Sequence, residues 1–340
     1  MNLYEEVRAL CELPGVSGRE APVRDHIVSR LPKDVHWETD AMGNLYVEKR
    51  GAKTPKNRLA LFAHMDEVGL MITYITDDGF LKFDEIGGID PAVLIGRTVE
   101  LESGAVGVIA LKAIHLCDDK EAKKIPELRD LCIDIGASSK EEAEQHAPLG
   151  SYAVFRSKWV AFGDGIVKMK ALDDRFGCAV MLDLLQEDLP YDMTFVFTVQ
   201  EEVGARGAAA AAYRTAPDIA VILETTTAGD ICGVEGPKRA CALGEGPVIS
   251  YMDRGTVYDH ELYKLAMDIA KEAGLPAQTK TIVAGGNDSS SVQRTGAGSR
   301  VVAVSAPTRY LHSPVDVLKW SDVENMRKLL DVLLPKLAEA

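Results

Sequence analysis

The sequence predicts an α/β protein with a mixed sheet that is interrupted by a small all-β domain. Residues 1–69 and 163–340 contain continuous apolar runs such as "RLALFAHM" and "MTFVFTVQ", which are typical of strands buried on both faces. Helical patterns such as "DDRFGCAVMLDLLQED" alternate with these runs, as in an α/β sheet. Residues 70–162 instead contain short alternating or β-branched runs broken by Gly, Asp and Pro. That texture indicates a β-rich insert.

The individual elements follow in chain order. In "GVSGREAPVRDHIVSRL", Ser17 is a candidate helix N-cap, and Glu20 three residues later completes a capping box. A polar turn at 53–57 then leads into the first buried strand. Inside the insert, the predicted strands are LMITYI, TVELES, AVGVIAL, LCIDIGA and YAVFRS. After the insert, the alanine run at 208–212 predicts a closely packed helix, and "IAVILET" predicts another buried strand.

Composition excludes several classes of protein. The 340 residues carry a formal net charge of -14, which argues against a nucleic-acid partner because phosphate binding needs clustered Lys and Arg. The N-terminus contains acids and lacks the apolar core of a signal peptide, and no run is long enough to span a bilayer. We therefore expect a cytoplasmic protein with no membrane partner. The six cysteines are scattered singly, which favours free buried thiols over disulfides or a zinc knuckle.

Two short stretches place candidate metal ligands at the ends of buried elements. In "AHMDEVG", His64 and Asp66 share one face of a strand, so the acid could hold the imidazole while the other ring nitrogen binds a metal. A satisfied core histidine is the alternative. In "KALDDRFG", Asp173 and Asp174 open a helix, where helix capping and metal binding are equally open interpretations.

Three further stretches extend this pattern. "FVFTVQEEVGARGA" ends an apolar strand in Glu201 and Glu202, so one carboxylate could bind a metal while the other acts as a proton shuttle. Glu224 ends the strand in "VILET", and His312 lies in "TRYLHSPVDV"; an edge acid and a turn histidine remain the alternatives. Together, these nitrogen and oxygen donors suit two hydrolytic divalent ions, such as Zn, Co or Mn.

In combination and order, six motifs resemble those of a known family, the di-metal aminopeptidases that include glutamyl aminopeptidase and the tetrahedral (TET) aminopeptidases. The motifs are LPGVSGRE, AHMDEVG, ALDDRFG, QEEVGARGA, TTTAGD and SAPTRYLHSPVDV. Some members of the family carry an endoglucanase label. The resemblance implies a metallopeptidase catalytic domain at 1–69 and 163–340, and a β-rich dimerisation domain at 70–162. It also implies a tetrahedral dodecamer built from dimers.

The resemblance also implies roles for individual residues. Asp173 would bridge both metals and be followed by a strained or cis peptide bond. The remaining ligands would be Glu202 and His312 for one ion, and His64 and Glu224 for the other. Glu201 would be the general base, and Asp66 would orient His64. This sequence departs from the common pattern in two places: residue 224 is Glu where many relatives have Asp, and Asn287 stands where relatives often have Thr beside the acid that matches Asp288.

The function implied by this resemblance is metal-dependent removal of the N-terminal residue from short peptides with a free N-terminus. A related di-metal carboxypeptidase or a deacylating amidohydrolase is the alternative, since the same ligand set serves both. A scaffold with a structural metal site would not need the spare acid Glu201. A glycoside hydrolase would leave the histidines without a purpose. Arg239 and Arg254 could favour acidic first residues, although a solvated or interface arginine is the more ordinary interpretation.

Overall fold

The computed structural model describes residues 1–118 and 125–340, and these form one large sheet covered by helices and one small closed barrel. The helices are α1 (Leu3–Glu12), α2 (Ala21–Arg30), α3 (Lys140–His146), α4 (Leu172–Leu185), α5 (Arg206–Thr215), α6 (His260–Glu272), α7 (Ser289–Arg294) and α8 (Trp320–Glu339). The strands are β1 (His36–Thr39), β2 (Leu45–Lys49), β3 (Leu59–His64), β4 (Gly69–Ile75), β5 (Leu81–Ile86), β6 (Thr98–Leu101), β7 (Val106–Ala110), β8 (Cys132–Asp134), β9 (Tyr152–Phe155), β10 (Val160–Phe162), β11 (Ile166–Met169), β12 (Met193–Thr198), β13 (Ile219–Thr227), β14 (Val248–Ile249), β15 (Gln278–Thr279), β16 (Arg300–Arg309) and β17 (Asp316–Lys319). The predicted mixed α/β class with a β insert is confirmed.

The large sheet has parallel strands at its centre and antiparallel strands at its edges. Its main path runs β1-β2-β12-β3-β13-β16-β17-β11-β10, and β14 and β15 are attached beside β16. The four central strands β12, β3, β13 and β16 pair in parallel. Their carboxyl ends therefore meet at one edge, which is where ligand sites of open α/β sheets form.

Both faces of the sheet are buried, as the continuous apolar runs predicted. On one face, the largest apolar core includes residues of α1, α4, α6 and α8. On the other face, Ala208, Ala211 and Ala212 of α5 pack against Phe62 and Val196, which confirms the closely packed alanine helix. A Cβ on Gly207 would lie 2.3 Å from the carbonyl oxygen of Val199, so only glycine permits this approach.

The β-rich region forms a closed barrel in the order β4-β5-β8-β7-β6-β9, around its own apolar core. The sequence missed β5, whose side-chain burial loses its alternation at two consecutive exposed acids, Asp84 and Glu85. Val160–Phe162, which lies inside the predicted insert, pairs with Ile166–Met169 in the large sheet rather than in the barrel. The division of the chain at 70 and 162 stays a prediction.

The predicted capping box of α2 is wrong. The helix begins at Ala21, and its N-cap residue Glu20 makes no capping hydrogen bond through its side chain. The Ser17 hydroxyl instead donates to Oδ2 of Asp66 at 2.6 Å, and Oε1 of Glu20 accepts from the backbone N–H groups of Gly18 at 2.7 Å and Gln200 at 3.1 Å. Local spacing suggested a cap, but both side chains have partners in other parts of the fold.

The cysteine prediction is confirmed in one respect and needs correction in another. All six are free thiols, but only three of them are buried; the set is Cys11, Cys178 and Cys241 (buried), Cys117 and Cys132 (half-buried) and Cys232 (exposed). Within residues 1–118 and 125–340, no helix combines the length and apolar character needed to cross a membrane.

Candidate metal centre

The carboxyl edge of the parallel strands collects the acids and histidines that the sequence singled out. His64 is the last residue of β3, Glu201 and Glu202 follow β12, and Glu224 is the sixth of the nine residues of β13. His312 follows β16, in a turn where its own φ is 58°. Asp173 comes from the first turn of α4, which packs against β3 and β13. The fold of the sheet therefore brings together residues that are far apart in sequence, from His64 to His312.

His64, Asp173 and Glu224 form the first candidate ligand group, with potential ligand atoms all within 4.8 Å of one another. Nε2 of His64 lies 3.3 Å from Oδ1 of Asp173 and 3.6 Å from Oε1 of Glu224. Nδ1 of His64 lies 3.1 Å from the backbone oxygen of Asp66, and because a carbonyl can only accept, Nδ1 carries the proton. This arrangement leaves the lone pair of Nε2 facing the two carboxylates, as a metal ligand requires.

Asp173, Glu202 and His312 form the second group, which shares Asp173 with the first. Nε2 of His312 lies 3.3 Å from Oε2 of Glu202 and 3.8 Å from Oδ2 of Asp173. Nδ1 of His312 donates to the backbone oxygen of Gly88 at 2.8 Å. That carbonyl belongs to the loop after barrel strand β5, so the barrel fixes the tautomer of a histidine in the large domain. The neighbouring Gly87 also packs against this group, since a Cβ there would lie 3.2 Å from the Cβ of Glu202.

Asp66 contacts one member of each group, His64 and Glu202, and is fully buried. Its carboxylate accepts from the backbone N–H groups of Glu201 at 3.0 Å and Glu202 at 3.1 Å, as well as from Ser17. Nδ1 of His64 lies between the backbone oxygen of Asp66, to which it donates at 3.1 Å, and Oδ1 of the Asp66 carboxylate, which is 3.5 Å away. Burial opposes ionisation of Asp66, but hydrogen bonding and charge at His64 outweigh it and hold the pKa of Asp66 below its usual value.

The start of α4 does not use Asp173 or Asp174 as a helix cap. The N-cap residue is Ala171, and both aspartates have non-helical backbone angles. The Asp173–Asp174 peptide bond is cis, as the family resemblance implied. The capping alternative for this stretch is therefore wrong, and the Asp173 carboxylate lies free between the two histidines.

The residues present fit a pair of divalent cations. Oδ1 of Asp173 is buried and accepts no well-formed hydrogen bond from any residue that the structure describes. Burial raises the pKa of Glu224 to about 8, and burial together with the negative charge of neighbouring acids raises the pKa of Glu202 well above its usual value. Conversely, the carboxylates of Glu224, Asp173 and Asp66 outweigh the effect of burial on His64 and raise its pKa. Such a concentration of buried negative charge is what bound cations compensate.

Glu201 lies beside the cluster but belongs to neither ligand group. Burial, and then the negative charges of Glu224, Asp288 and Glu202, raise its pKa well above the ordinary value, although the charge of His64 acts against this. Glu201 also lines a cavity of about 680 Å³ that contains members of both ligand groups. A free carboxylate with a raised pKa at the edge of a cavity is suited to proton transfer.

Several residues support the site through contacts that were not predicted from the sequence. Asp288 is buried and accepts from the hydroxyl of Thr198, the last residue of β12, at 2.6 Å. Oε1 of Glu20 accepts a hydrogen bond from the backbone N–H of Gln200, the residue before Glu201. Gln200 has a positive φ of 58°. Gly88 holds His312. The motif "LPGVSGRE" could have indicated such a role through its Ser and Glu, but their spacing matches a capping box equally well.

We expect Glu20→Ala to lower the turnover number by ~10-fold, because the backbone N–H of Gln200 loses its hydrogen bond to the Glu20 carboxylate. That hydrogen bond joins the loop that carries Glu201 and Glu202 to the N-terminal segment. A lost hydrogen bond to a charged group should also lower the free energy of unfolding by about 1.5–3 kcal/mol. Steady-state kinetics and thermal unfolding measure both effects. Glu20→Gln is the matched control, since its amide oxygen can still accept; equal losses in the two variants would contradict a positioning role.

Together, the sheet, the inserted barrel and the cluster of histidines and carboxylates indicate a metal-dependent hydrolase. The family model described as M42 glutamyl aminopeptidase matches residues 43–329, so the chain belongs to this aminopeptidase family and acts on peptides. The family implies divalent metal ions, in agreement with the two ligand groups.

Individual relatives are similar to this protein in sequence and structure over almost the whole chain. The lysyl aminopeptidase of Pyrococcus furiosus is 33% identical over 98% of this chain and 97% of its own length. An aminopeptidase from the archaeon Desulfurococcus kamchatkensis is 36% identical, with a TM-score of 0.92 over 97% of this chain and 93% of that chain. The TET1 peptidase of Pyrococcus horikoshii, described as able to assemble into a tetrahedron or a large octahedral shell, is 35% identical, with a TM-score of 0.86 over 98% of this chain and 99% of that chain.

Proposed function

We propose that the chain removes single N-terminal residues from short peptides with a free N-terminus, using two divalent ions per subunit and Glu201 as the general base. The observation that carries this proposal is the sharing of Asp173 between two ligand groups, with Glu201 unassigned beside them. The ligands of the first ion would be His64, Asp173 and Glu224, and those of the second Asp173, Glu202 and His312.

Each residue then has a defined task. Divalent ions bound in this cluster would lower the pKa of a water molecule and polarise the scissile carbonyl. Glu201 takes the proton from that water and returns it to the leaving amine nitrogen. Asp66 fixes the backbone of Glu201 and Glu202 through two hydrogen bonds. The mixture of imidazole and carboxylate donors suits Zn, Co or Mn.

The test is mass spectrometry of a peptide pool in which every peptide is present both free and N-acetylated. The chelated protein is incubated alone, and then with added Zn, Co or Mn. We expect stepwise loss of single N-terminal residues from the free peptides only, and only with metal. Loss of C-terminal residues, or release of the acetyl group, would instead support the di-metal carboxypeptidase or deacylating amidohydrolase.

For the assembly, we propose a cytoplasmic homo-oligomer in which the insert 70–162 forms dimers and the dimers form a tetrahedral dodecamer. The outer face of barrel strand β7 supports the first step, because Val106 and Val108 are 41% and 45% exposed on it. Apolar side chains that alternate to the outside of a barrel are suited to contact a second copy. Light scattering measures the particle mass, and a monomer at micromolar concentration would contradict this assembly.

A further inference from the structure

A second group of buried charges lies outside the metal centre and has no task in the proposed mechanism. Its members are Glu67, Lys170 and Arg175, which are 3%, 4% and 0% exposed, and none of them belongs to a candidate ligand group. We call these three residues the ionic cluster. Removing three charges from water is costly unless each charge is paired and hydrogen-bonded. The contacts that offset this cost therefore show which parts of the chain the ionic cluster holds together.

Glu67 and Lys170 form the centre of the ionic cluster. Nζ of Lys170 donates to Oε1 and Oε2 of Glu67 at 2.7 and 2.8 Å, and to the backbone oxygen of Leu13 at 3.0 Å. An ammonium has three hydrogens to donate, so these contacts use all of them. Oε1 of Glu67 also accepts from the backbone N–H of Gly15 at 3.2 Å. The pair therefore joins the segment after β3, the turn before α4 and the segment after α1.

Arg175 connects the same segment after α1 to helix α4. Its guanidinium donates to the backbone oxygens of Leu10 at 2.8 Å and Gly15 at 3.3 Å. Nη2 of Arg175 also lies 3.5 Å from Oε1 of Glu67. Glu67 therefore keeps one cationic partner even where the other is removed.

The ionic cluster lies on the same short segments as two of the proposed metal ligands. Glu67 is three residues after His64, Lys170 is three residues before Asp173, and Arg175 is two residues after Asp173. The ion pair of Glu67 and Lys170 therefore ties the segment that carries His64 to the segment that carries Asp173. Nε2 of His64 and Oδ1 of Asp173 lie 3.3 Å apart.

The start of α4 needs such a tie because the helix itself does not fix Asp173. Asp173 has a φ of -81° and a ψ of 108°, which are not helical angles, and the N-cap residue Ala171 makes no capping hydrogen bond through its side chain. Residues with helical angles are held by the repeating hydrogen bonds of the helix, but Asp173 lies where that pattern is interrupted. The position of its carboxylate therefore depends on contacts made by its neighbours in sequence.

We propose that Glu67 and Lys170 are positioning residues that set the distance between His64 and Asp173, and thereby the affinity of the first ligand group for its ion. The inference rests on the proposed ligand groups, but not on which bond the protein cleaves. The first group is singled out because two of its members lie within three residues of the ionic cluster. Among the described residues, the cluster makes no hydrogen bond to the loops that carry the other two ligands of the second group.

The experiment is a titration of the metal-free protein with Co²⁺, followed by calorimetry and by the visible absorption of the bound ion. Lys170→Met removes the ammonium, while Glu67 keeps Arg175 as a partner. We expect the affinity of one of the two binding steps to fall by about 10–100-fold, the range for loss of an outer partner of a metal ligand. That step should be the one weakened by Glu224→Gln, which alters only the first group, and not the one weakened by His312→Gln.

Lys49→Met is the matched control for the loss of a buried ammonium. Lys49 is 6% exposed, and its Nζ donates to the backbone oxygen of Leu185 at 2.6 Å. Leu185 is the last residue of α4, about 18 Å along the helix from Asp173 at a rise of about 1.5 Å per residue. Both variants should have a lower Tm, but only Lys170→Met should bind Co²⁺ more weakly. Equal losses of affinity in the two variants, or an unchanged affinity in Lys170→Met, would overturn the proposal.

Glu67→Gln provides a second, independent variant, and circular dichroism shows whether each variant folds. The amide keeps the volume and can still accept from Gly15, but it loses the charge that attracts Lys170. It should weaken the same binding step as Lys170→Met. Weakening of both steps, or of the step sensitive to His312→Gln alone, would contradict the assignment to the first group. Failure of both variants to fold, with Lys49→Met folded, would assign the ionic cluster to stability alone.

Peptide hydrolysis is measured separately, so that the positioning role and the proposed function can fail independently. Weaker Co²⁺ binding at the expected step supports the positioning role even if the wild type cleaves no peptide, a result that would contradict the proposed function alone. Normal Co²⁺ binding by both variants of the ionic cluster would overturn the positioning role, even if the wild type is an active aminopeptidase.

Discussion

Replacing Asp173 with asparagine should nearly abolish hydrolysis and reduce the binding of both ions. Asp173 is the residue common to the two ligand groups, and its buried Oδ1 accepts no well-formed hydrogen bond from the described residues. Asparagine keeps the volume but loses the negative charge and one of the two acceptor oxygens. Loss of an outer partner of a metal ligand already costs 10–100-fold, so we expect a loss of more than ~100-fold for the shared ligand itself.

The measurement combines metal content per subunit, by plasma mass spectrometry after dialysis, with initial rates. Circular dichroism shows whether the variant folds. Asp188→Asn is the matched control, because Asp188 is exposed shortly after α4 and belongs to neither ligand group. Two ions per subunit and a normal rate in Asp173→Asn would contradict the assignment of Asp173 as the shared ligand.

Replacing Glu201 with glutamine should slow turnover by at least ~100-fold while metal content stays unchanged. The amide keeps the shape of the side chain but cannot take a proton from water. Because Glu201 belongs to neither ligand group, we expect two ions to remain bound. Its backbone N–H still donates to Asp66, so the loop should keep its conformation.

The neighbouring residue Glu202 provides a comparison variant, because its replacement should change metal content as well as rate. Glu202→Gln alters a member of the second ligand group and should lose metal as well as rate. Kinetics and metal content measured side by side on the two variants therefore separate a base from a ligand. If Glu201→Gln lost metal and Glu202→Gln kept it, the two roles would be exchanged; an unchanged rate in Glu201→Gln would remove the base from the mechanism.

The parts of the fold that depend on local pattern could be predicted from the sequence. Continuous apolar runs identified β3, β12 and β13 because strands buried on both faces need no polar alternation. β5 was missed because Asp84 and Glu85 are both exposed, which interrupts the period of two. Ser17 and Glu20 were misassigned because their partners, Asp66 and Gln200, lie 49 and 180 residues further along the chain.

The candidate site divides in the same way. His64, Glu202 and Glu224 could be singled out because each lies at the end of a continuous apolar run of the sequence or shortly after it. The supporting roles of Glu20 and Gly88 could not, because each depends on a hydrogen-bond partner that lies far away along the chain. Such facts are properties of the folded surroundings, and a single sequence does not contain them in readable form.

The hydrogen bond between His312 and Gly88 limits the modularity of this architecture. The barrel has its own core and closes on itself, so it looks like a unit that could be exchanged or deleted. Yet one of its loops supplies the carbonyl that orients His312, and Gly87 in the same loop packs against Glu202. A graft of the large domain alone would therefore carry every proposed ligand but would leave His312 without its orienting partner. The barrel loop and the proposed metal ligand His312 are therefore linked by a direct hydrogen bond, and the geometry of the site depends on how the barrel is placed.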